Sequence, residues 1–334
     1  VAEEGEGRKA LPLELLQVLR GRSIDEFLQP LPTYALSDWR AALSLIAHFQ
    51  RTDLVESALE DARRRLSELA QFSLLVRTVA GLPGTVQQLL FELVRDIAAS
   101  LANLGAFMSH QEKALERDLL LLGRGAGRQT LADAQRRVGD AIAGDMSQMI
   151  RFFLADPSPM RTLSALQAQW GRPIDDPLGL LDAGLEHPEP FVRALVAFLA
   201  TDEASPVEVD RLDHALGKER HPLVAATLQS ALDRRQGVEA GGLSVFEKLL
   251  ILKQTGLFAG LDRESLMNVA SVAIEGDASA GTTIFEQDTP GDAAYILVEG
   301  SVEVIRRGAE PGAEERVLAT LQAPQFFGEM SILN

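Results

Sequence analysis

Ala294-Tyr295-Ile296-Leu297-Val298, then Glu299-Gly300, then Ser301-Val302-Glu303-Val304-Ile305: this stretch decides the fold of the C-terminal part of the chain. Two short runs rich in β-branched and aromatic residues flank a turn whose glycine accepts a positive φ, so both runs read as strands. Working outward, Thr282 to Phe285 and Arg316 to Thr320 show the same period of two, and Ala280-Gly281 and Pro290-Gly291-Asp292 supply further turns. Upstream the period becomes helical. Ser244-Val245-Phe246-Glu247 makes a capping box ahead of Leu249, Leu250 and Leu252, and a second helix starts at Asp262 and runs to about Val272. Helices followed by closely spaced short strands predict a small jelly roll with flanking helices.

Before that module, from Leu11 to Leu232, the apolar spacing is repeatedly helical, as in the stripe Trp39, Ala42, Leu43, Ile46 and Phe49. Ser37 or Asp38 is a candidate cap for that helix, Asp53 with Glu56 for the next, and Thr130 with Asp133 for a later one. Breaks at Pro30/Pro32, Gly81/Pro83/Gly84, Gly123 to Gly127, Pro157/Pro159, Gly171 to Pro177 and Pro188/Pro190 leave helices of ordinary length joined by turns. The stretch from His187 through Pro188, Glu189, Pro190, Phe191, Val192 and Arg193 to Leu199 resembles a HEAT repeat. Weaker echoes stand at His221 to Ala226 and Leu75 to Pro83. Arg234 to Gly242 is polar and free of periodicity, as an interdomain linker is. The expected organisation is a multidomain α + β chain: an irregular, HEAT-like all-α domain over 1–233, a linker over 234–242, and the β-roll over 243–334. A non-repetitive helical domain is the alternative for the first part.

Charge and composition narrow the function. A net charge of −16 and a pI near 4.8 oppose binding to nucleic-acid phosphates or anionic lipid unless a local basic patch intervenes. Arg63-Arg64-Arg65 and Arg136-Arg137 lie among acidic residues in helical segments and read as solvated faces. With no cysteine there is no disulfide, thiolate metal site or cysteine nucleophile, and a cytoplasmic setting is the default. Glu92, Arg95 and Asp96 interrupt the most apolar stretch, Leu89 to Leu104, so no membrane span is expected. The chain begins at Val1 and ends at Asn334 inside a motif, which suggests a fragment, with a membrane part possible only in sequence that is not present.

That final motif is Phe327-Gly328-Glu329-Met330-Ser331-Ile332-Leu333: a strand ending at a glycine, then a short helix opening over an acidic residue. Gly328 permits close backbone approach, and the free N–H groups and dipole of a helix start suit a phosphate. Together with Leu257-Phe258-x-Gly260-Leu261, Gly281-x-x-Ile284-Phe285, Gly291-Asp292-x-x-Tyr295 and Glu299-Gly300-x-Val302, in order, the motif resembles the cyclic nucleotide-binding domain family. That family includes catabolite activator proteins, protein kinase A regulatory subunits and cyclic-nucleotide-gated channels. The resemblance implies cAMP or cGMP as ligand, with Phe327, Gly328, Glu329, Met330 and Ser331 in the phosphate-binding cassette. It gives Glu329 the ribose 2′-hydroxyl and leaves main-chain contacts to Gly328, Met330 and Ser331. The family's phosphate-binding arginine would follow Asn334.

Other constellations carry less. Gly123-Arg124-Gly125-Ala126-Gly127-Arg128-Gln129-Thr130 lacks the lysine and the preceding strand of a phosphate loop and reads as an interhelix connection. His48, His110, His187, His214 and His221 show no metal-ligand spacing, and Asp175-Asp176 before Pro177 reads as turn or cap chemistry. No cofactor, metal or catalytic residue is expected. The expectation is a non-enzymatic cytoplasmic regulator that binds a cyclic nucleotide in the roll and signals through the helices, with a protein partner possible on the helical domain. One alternative is a helical-repeat scaffold with a degenerate roll. Another is the soluble tail of a transporter, because HEAT-like helices followed by such a roll resemble the tails of bacterial transporter-like proteins related to ATP/ADP carriers and the major facilitator superfamily.

Overall fold

The structure, a computed structural model, describes residues 22–78, 84–108, 176–238, 242–258, 260–289, 293–307 and 315–328, with Leu19, Arg161, Ser164 and Ala168. The expected Thr130–Asp133 cap, the Gly123–Gly127 connection, Arg136-Arg137, His110, Asp175 and the Pro290-Gly291-Asp292 turn lie outside these residues. Contacts divide the chain into two compact units, Val1–Arg193 and Ala194–Asn334.

The first unit is helical: α1 (Ile24–Leu28), α2 (Leu36–His48), α3 (Val55–Thr78), α4 (Gly84–Met108), α5 (Pro177–Leu185) and the start of α6 (Pro190–Leu199). Both α2 and α3 pack against α4. The predicted stripe Trp39, Ala42, Leu43 and Ile46 is fully buried, as are Leu66 on α3 and Leu89, Leu90 and Leu93 on α4. Each such large side chain contributes about 1.5–3 kcal/mol by leaving water, which is what holds these helices together. Phe49 is only half-buried because it is the C-cap of α2.

Three local expectations are corrected. Neither Ser37 nor Asp38 caps α2; the helix starts at Leu36 behind Ala35, which has no capping side chain, and the buried carboxylate of Glu189 accepts the Leu36 N–H at 3.1 Å. The cap comes from far along the chain and places a negative charge at the positive end of the helix. Asp53 is likewise no cap, because its carboxylate takes the Arg51 guanidinium (2.8 Å) while Thr52–Leu54 forms a 3₁₀ turn and α3 begins at Val55. Nor is the arginine triplet a solvated face. Arg65 is 3% exposed, bonds Asp61 at 2.6 Å, donates to the Leu31 and Tyr34 carbonyls, and lies 5.3 Å over the Trp39 ring. The i,i+4 spacing from Asp61 directs it onto the α1–α2 turn, where a guanidinium satisfies carbonyls that helix ends leave open. Arg64 joins the same group through Asp61 (2.6 Å) and Glu68 (2.8 Å).

In the second unit, α7 (Val209–Lys218) packs on α8 (Pro222–Arg235), and α9 (Val245–Gln254) on α10 (Arg263–Val272). The capping box Ser244/Glu247 forms as read, and Asp262 caps α10 through the Ser265 amide at 2.8 Å. Helix α8 runs through Arg235 and so takes in the first two residues of the expected linker, and Leu243 donates its N–H to both oxygens of Glu275 at 2.9 Å.

Four strands follow among the described residues: β1 (Tyr295–Leu297), β2 (Ser301–Arg306), β3 (Arg316–Gln322) and β4 (Gln325–Phe327). β1 pairs antiparallel with β4, and β2 with β3, in two separate two-stranded sheets. Strands adjacent across Glu299-Gly300 therefore belong to different sheets. The β2–β3 ladder shifts register between Val304 and Ile305, leaving Leu318 as the extra residue of a bulge. Thr282 to Phe285, expected as a strand, is not one. The backbone there closes on itself in turns, with Thr282 N–H bonded to the Ser279 carbonyl at 3.0 Å, and Phe285 packs through its ring instead of a ladder. No helix among the described residues is long and apolar enough to cross a membrane.

Candidate functional site

β4 presents two consecutive phenylalanines, and the pleat sends them to opposite faces. Phe327 pairs in register with Tyr295 of β1, and their rings stack at 5.3 Å and 16°. Phe285 completes the group, 5.9 Å from Tyr295 and 6.1 Å from Phe327, with both pairs within 25° of parallel. On the other face Phe326 meets Phe258, in the turn between α9 and α10, edge to face at 5.9 Å and 87°. Offset and T-shaped pairs of this kind add about 0.5–1.5 kcal/mol each beyond the area they bury. β4 is thus pinned on both sides just before the chain leaves the ladder.

It leaves at Gly328, whose φ of +84° lies in the left-handed region. A Cβ there would meet Tyr295 Cδ2 at 3.2 Å and the Ala293 carbonyl at 3.4 Å. Glycine is required twice, by backbone conformation and by the approach of the Ala293–Tyr295 segment. Of the five cassette residues read from the sequence, the structure brings Phe327 and Gly328 together against β1; Glu329, Met330 and Ser331 lie outside the described residues.

Close by, Arg307 at the end of β2 bonds Glu286 at 2.6 Å and Glu315 at 3.1 Å, and its backbone N–H bonds the Gln287 side chain at 3.0 Å. Glu315, with Glu286 in support, holds the guanidinium above its ordinary value. This cation is engaged by carboxylates, so it ties the 286–288 turn to the hairpin and is not a free anion receptor. No group of His, Cys, Asp and Glu among the described residues fits a metal ion.

Sequence reading missed the packing of Phe258 on Phe326 and the three-ring stack. The available signal was the adjacent pair Phe326-Phe327 in an otherwise aromatic-poor chain, since a strand sends neighbouring side chains to opposite faces. In the helical unit a small cavity between Leu36, Arg65, Leu69, Leu93, Ile97, His187 and Glu189 has room for no more than a water molecule and plays no part in the site. His187 is a core residue: its Nδ1 accepts the Glu189 N–H at 3.0 Å, and its Nε2 lies 3.3 Å from Glu68 Oε2.

Residues 277–334 match the family model of the cyclic nucleotide-binding domain. A CRP-like cAMP-activated global transcriptional regulator of Mycobacterium tuberculosis is 31% identical over 84 residues, which are 25% of this chain and 37% of that protein. The cGMP-dependent protein kinase, isozyme 1, of Drosophila melanogaster is 33% identical over 107 residues, 31% of this chain and 14% of the kinase. Potassium channel AKT2 of Oryza sativa subsp. japonica is 36% identical over 107 residues, 32% of this chain and 12% of the channel. No solved structure matches the chain. The C-terminal region therefore carries a cyclic nucleotide-binding domain, and a cyclic nucleotide is the ligand it implies. The chain spans little more than a third of the regulator and about a seventh or less of the kinase and the channel.

Proposed function

We propose that this chain is a non-enzymatic, cytoplasmic regulator in which cAMP or cGMP binds at the end of β4 and the helices before the roll carry the response. The observation that bears most weight is Gly328: a left-handed glycine, packed on Tyr295 and Ala293, immediately before Glu329. In this reading Glu329 accepts a hydrogen bond from the ribose 2′-hydroxyl, and Gly328, Met330 and Ser331 supply main-chain contacts to the cyclic phosphate. The helix-rich region over 1–233 acts as an irregular HEAT-like stack open to a protein partner, with the division from the roll in the stretch that follows α8. Nucleic acid is not a ligand of this part. The chain is strongly acidic, and Arg51, Arg64, Arg234 and Arg307 are each committed to carboxylates.

Calorimetric titration of the full-length natural protein with cAMP and with cGMP tests the proposal. Saturable binding is expected, weakened about tenfold or more by Glu329→Ala, because a hydrogen bond to a charged group is worth about 1.5–3 kcal/mol. A folded protein that gives no heat with either nucleotide overturns it.

A further inference from the structure

His187, between α5 and α6, is 8% exposed, and both of its ring nitrogens face protein groups. Nδ1 accepts the Glu189 N–H at 3.0 Å, and a backbone amide can only donate, so this nitrogen carries no proton. The single proton of the neutral ring is therefore on Nε2, which lies 3.3 Å from Glu68 Oε2 on α3. Burial pushes the Glu68 carboxyl up, but His187 and Arg64 outweigh it and hold it below its ordinary value, so a negative charge is in place beside the ring. From α3 come also Arg65, which is committed to Asp61, and Phe72, edge-on at 6.2 Å. Helix α2 contributes Leu36, and α4 Leu93 and Ile97, which carry no charge. Arg193 of α6 donates to the His187 and Pro188 carbonyls at 2.7 and 3.0 Å, and Glu186, the residue before His187, is exposed.

The residue whose amide His187 holds is also the cap of α2. Glu189 is buried, and its carboxylate accepts the Leu36 N–H at 3.1 Å. Pro188 before it has a fixed φ, and Pro190 after it restricts its backbone, so Glu189 has little conformational freedom of its own. A displacement of its amide is therefore passed on to its side chain. A second proton on the imidazole goes to Nδ1, and two donors then face each other at 3.0 Å in a buried place. One of them has to leave, while the imidazolium gains a charged pair with Glu68.

We propose that His187 is a proton-operated latch on α2: its second proton releases the Glu189 amide and, with it, the carboxylate that caps Leu36. The neutral ring keeps α2 capped, and the imidazolium exchanges that arrangement for the pair with Glu68. Imidazole is the side chain that ordinarily changes charge between pH 5 and 8, so the helical unit carries a local response to acidification. The latch is independent of the cyclic nucleotide reading and stands or falls without it.

Histidine-selective NMR and amide hydrogen exchange on the full-length natural protein, each followed from about pH 8 to about pH 5.5, test the latch. The His187 ring resonance, identified by its loss in His187→Gln or its shift in Glu68→Gln, should titrate in this range. With exchange corrected for its intrinsic pH dependence, protection of residues 36–42 should fall about fivefold or more as the ring gains its proton, with the same midpoint. In His187→Gln the side-chain oxygen can still accept the Glu189 N–H but takes up no proton, and the fall should shrink below about twofold. If His187→Gln does not fold, Glu68→Gln serves, because removing the counter-charge should lower both midpoints together by about half a pH unit or more. The latch is overturned by a His187 ring that stays neutral to the acid end of the range, or by one that titrates while residues 36–42 keep their protection. Loss of protection that persists in His187→Gln, or midpoints that part in Glu68→Gln, overturns it equally.

Discussion

At the residue scale, two helices end in the same hydrogen-bond pattern with different residues at the left-handed position. After α2, Gln50 N–H bonds the Ala47 carbonyl and Arg51 N–H the Ile46 carbonyl; after α8, Gly237 and Val238 make the equivalent bonds to Arg234 and Asp233. Both are Schellman ends, but Gln50 adopts φ +50° with a side chain and Gly237 adopts +71° without one. Gln50→Gly is expected to stabilise the protein by about 0.5–1 kcal/mol, the relief of left-handed strain less the added freedom of the unfolded chain, as read by urea denaturation. Gly328→Ala should do the reverse. The strained φ and the 3.2 Å approach to Tyr295 predict a loss of about 1–3 kcal/mol, together with loss of nucleotide binding by calorimetry. The glycine was legible because a strand followed by Gly and an acid is a local signal. The role of Arg65 was not, since three adjacent arginines look alike until the α1–α2 turn shows which one its carbonyls face.

At the scale of elements, helices were the easier reading. The Ser244/Glu247 box and the helix start at Asp262 are local in sequence; the box forms as read, and Asp262 stands as the cap of α10. The start of α2 was misread because its cap, Glu189, is 153 residues away and no local pattern announces it. Glu189→Ala should cost about 1–2 kcal/mol in denaturant unfolding, the worth of a charged helix cap, and Glu189→Gln appreciably less, because an amide oxygen still accepts the Leu36 N–H. Strands were harder. Thr282 to Phe285 has the composition of a strand, yet its neighbours turn it away from a ladder, and pairing is decided by partners that a run of alternating residues does not name. The same limit applies to β1 and β2, which sequence order places side by side and the structure assigns to different sheets.

For the whole molecule, acid sensitivity follows from carboxylates in both units. Burial opposes ionisation of Glu68, but His187 and Arg64 hold it below its ordinary 4.5; Glu247 is lowered against burial by Ser244 and Arg234, and Asp262 falls below 3.8 chiefly through the Ser265 amide. Depressed folded values mean stability that is complete above the unfolded values and is lost as pH falls through the folded ones. Unfolding free energy should therefore be flat in these groups down to about pH 5 and decline below about pH 4.5, and Glu247→Gln should flatten part of that decline in urea titrations. The contrast between helix-rich sequence and a C-terminal domain that carries the strands was legible from the change of period. The candidate site was proposed from a motif and not from a geometry, since Phe258 and Phe326 lie 68 residues apart and only the folded chain joins them. The strand order, finally, bears on how the roll assembles. Because β2 and β3 lie between β1 and β4 along the chain, zipping Ser301–Gln322 first draws Tyr295 and Phe327 together and shortens the loop that β1–β4 pairing must close. On that ordering the inner hairpin is expected to form before the β1–β4 pair, so the Gly328 end of β4 is expected to close last.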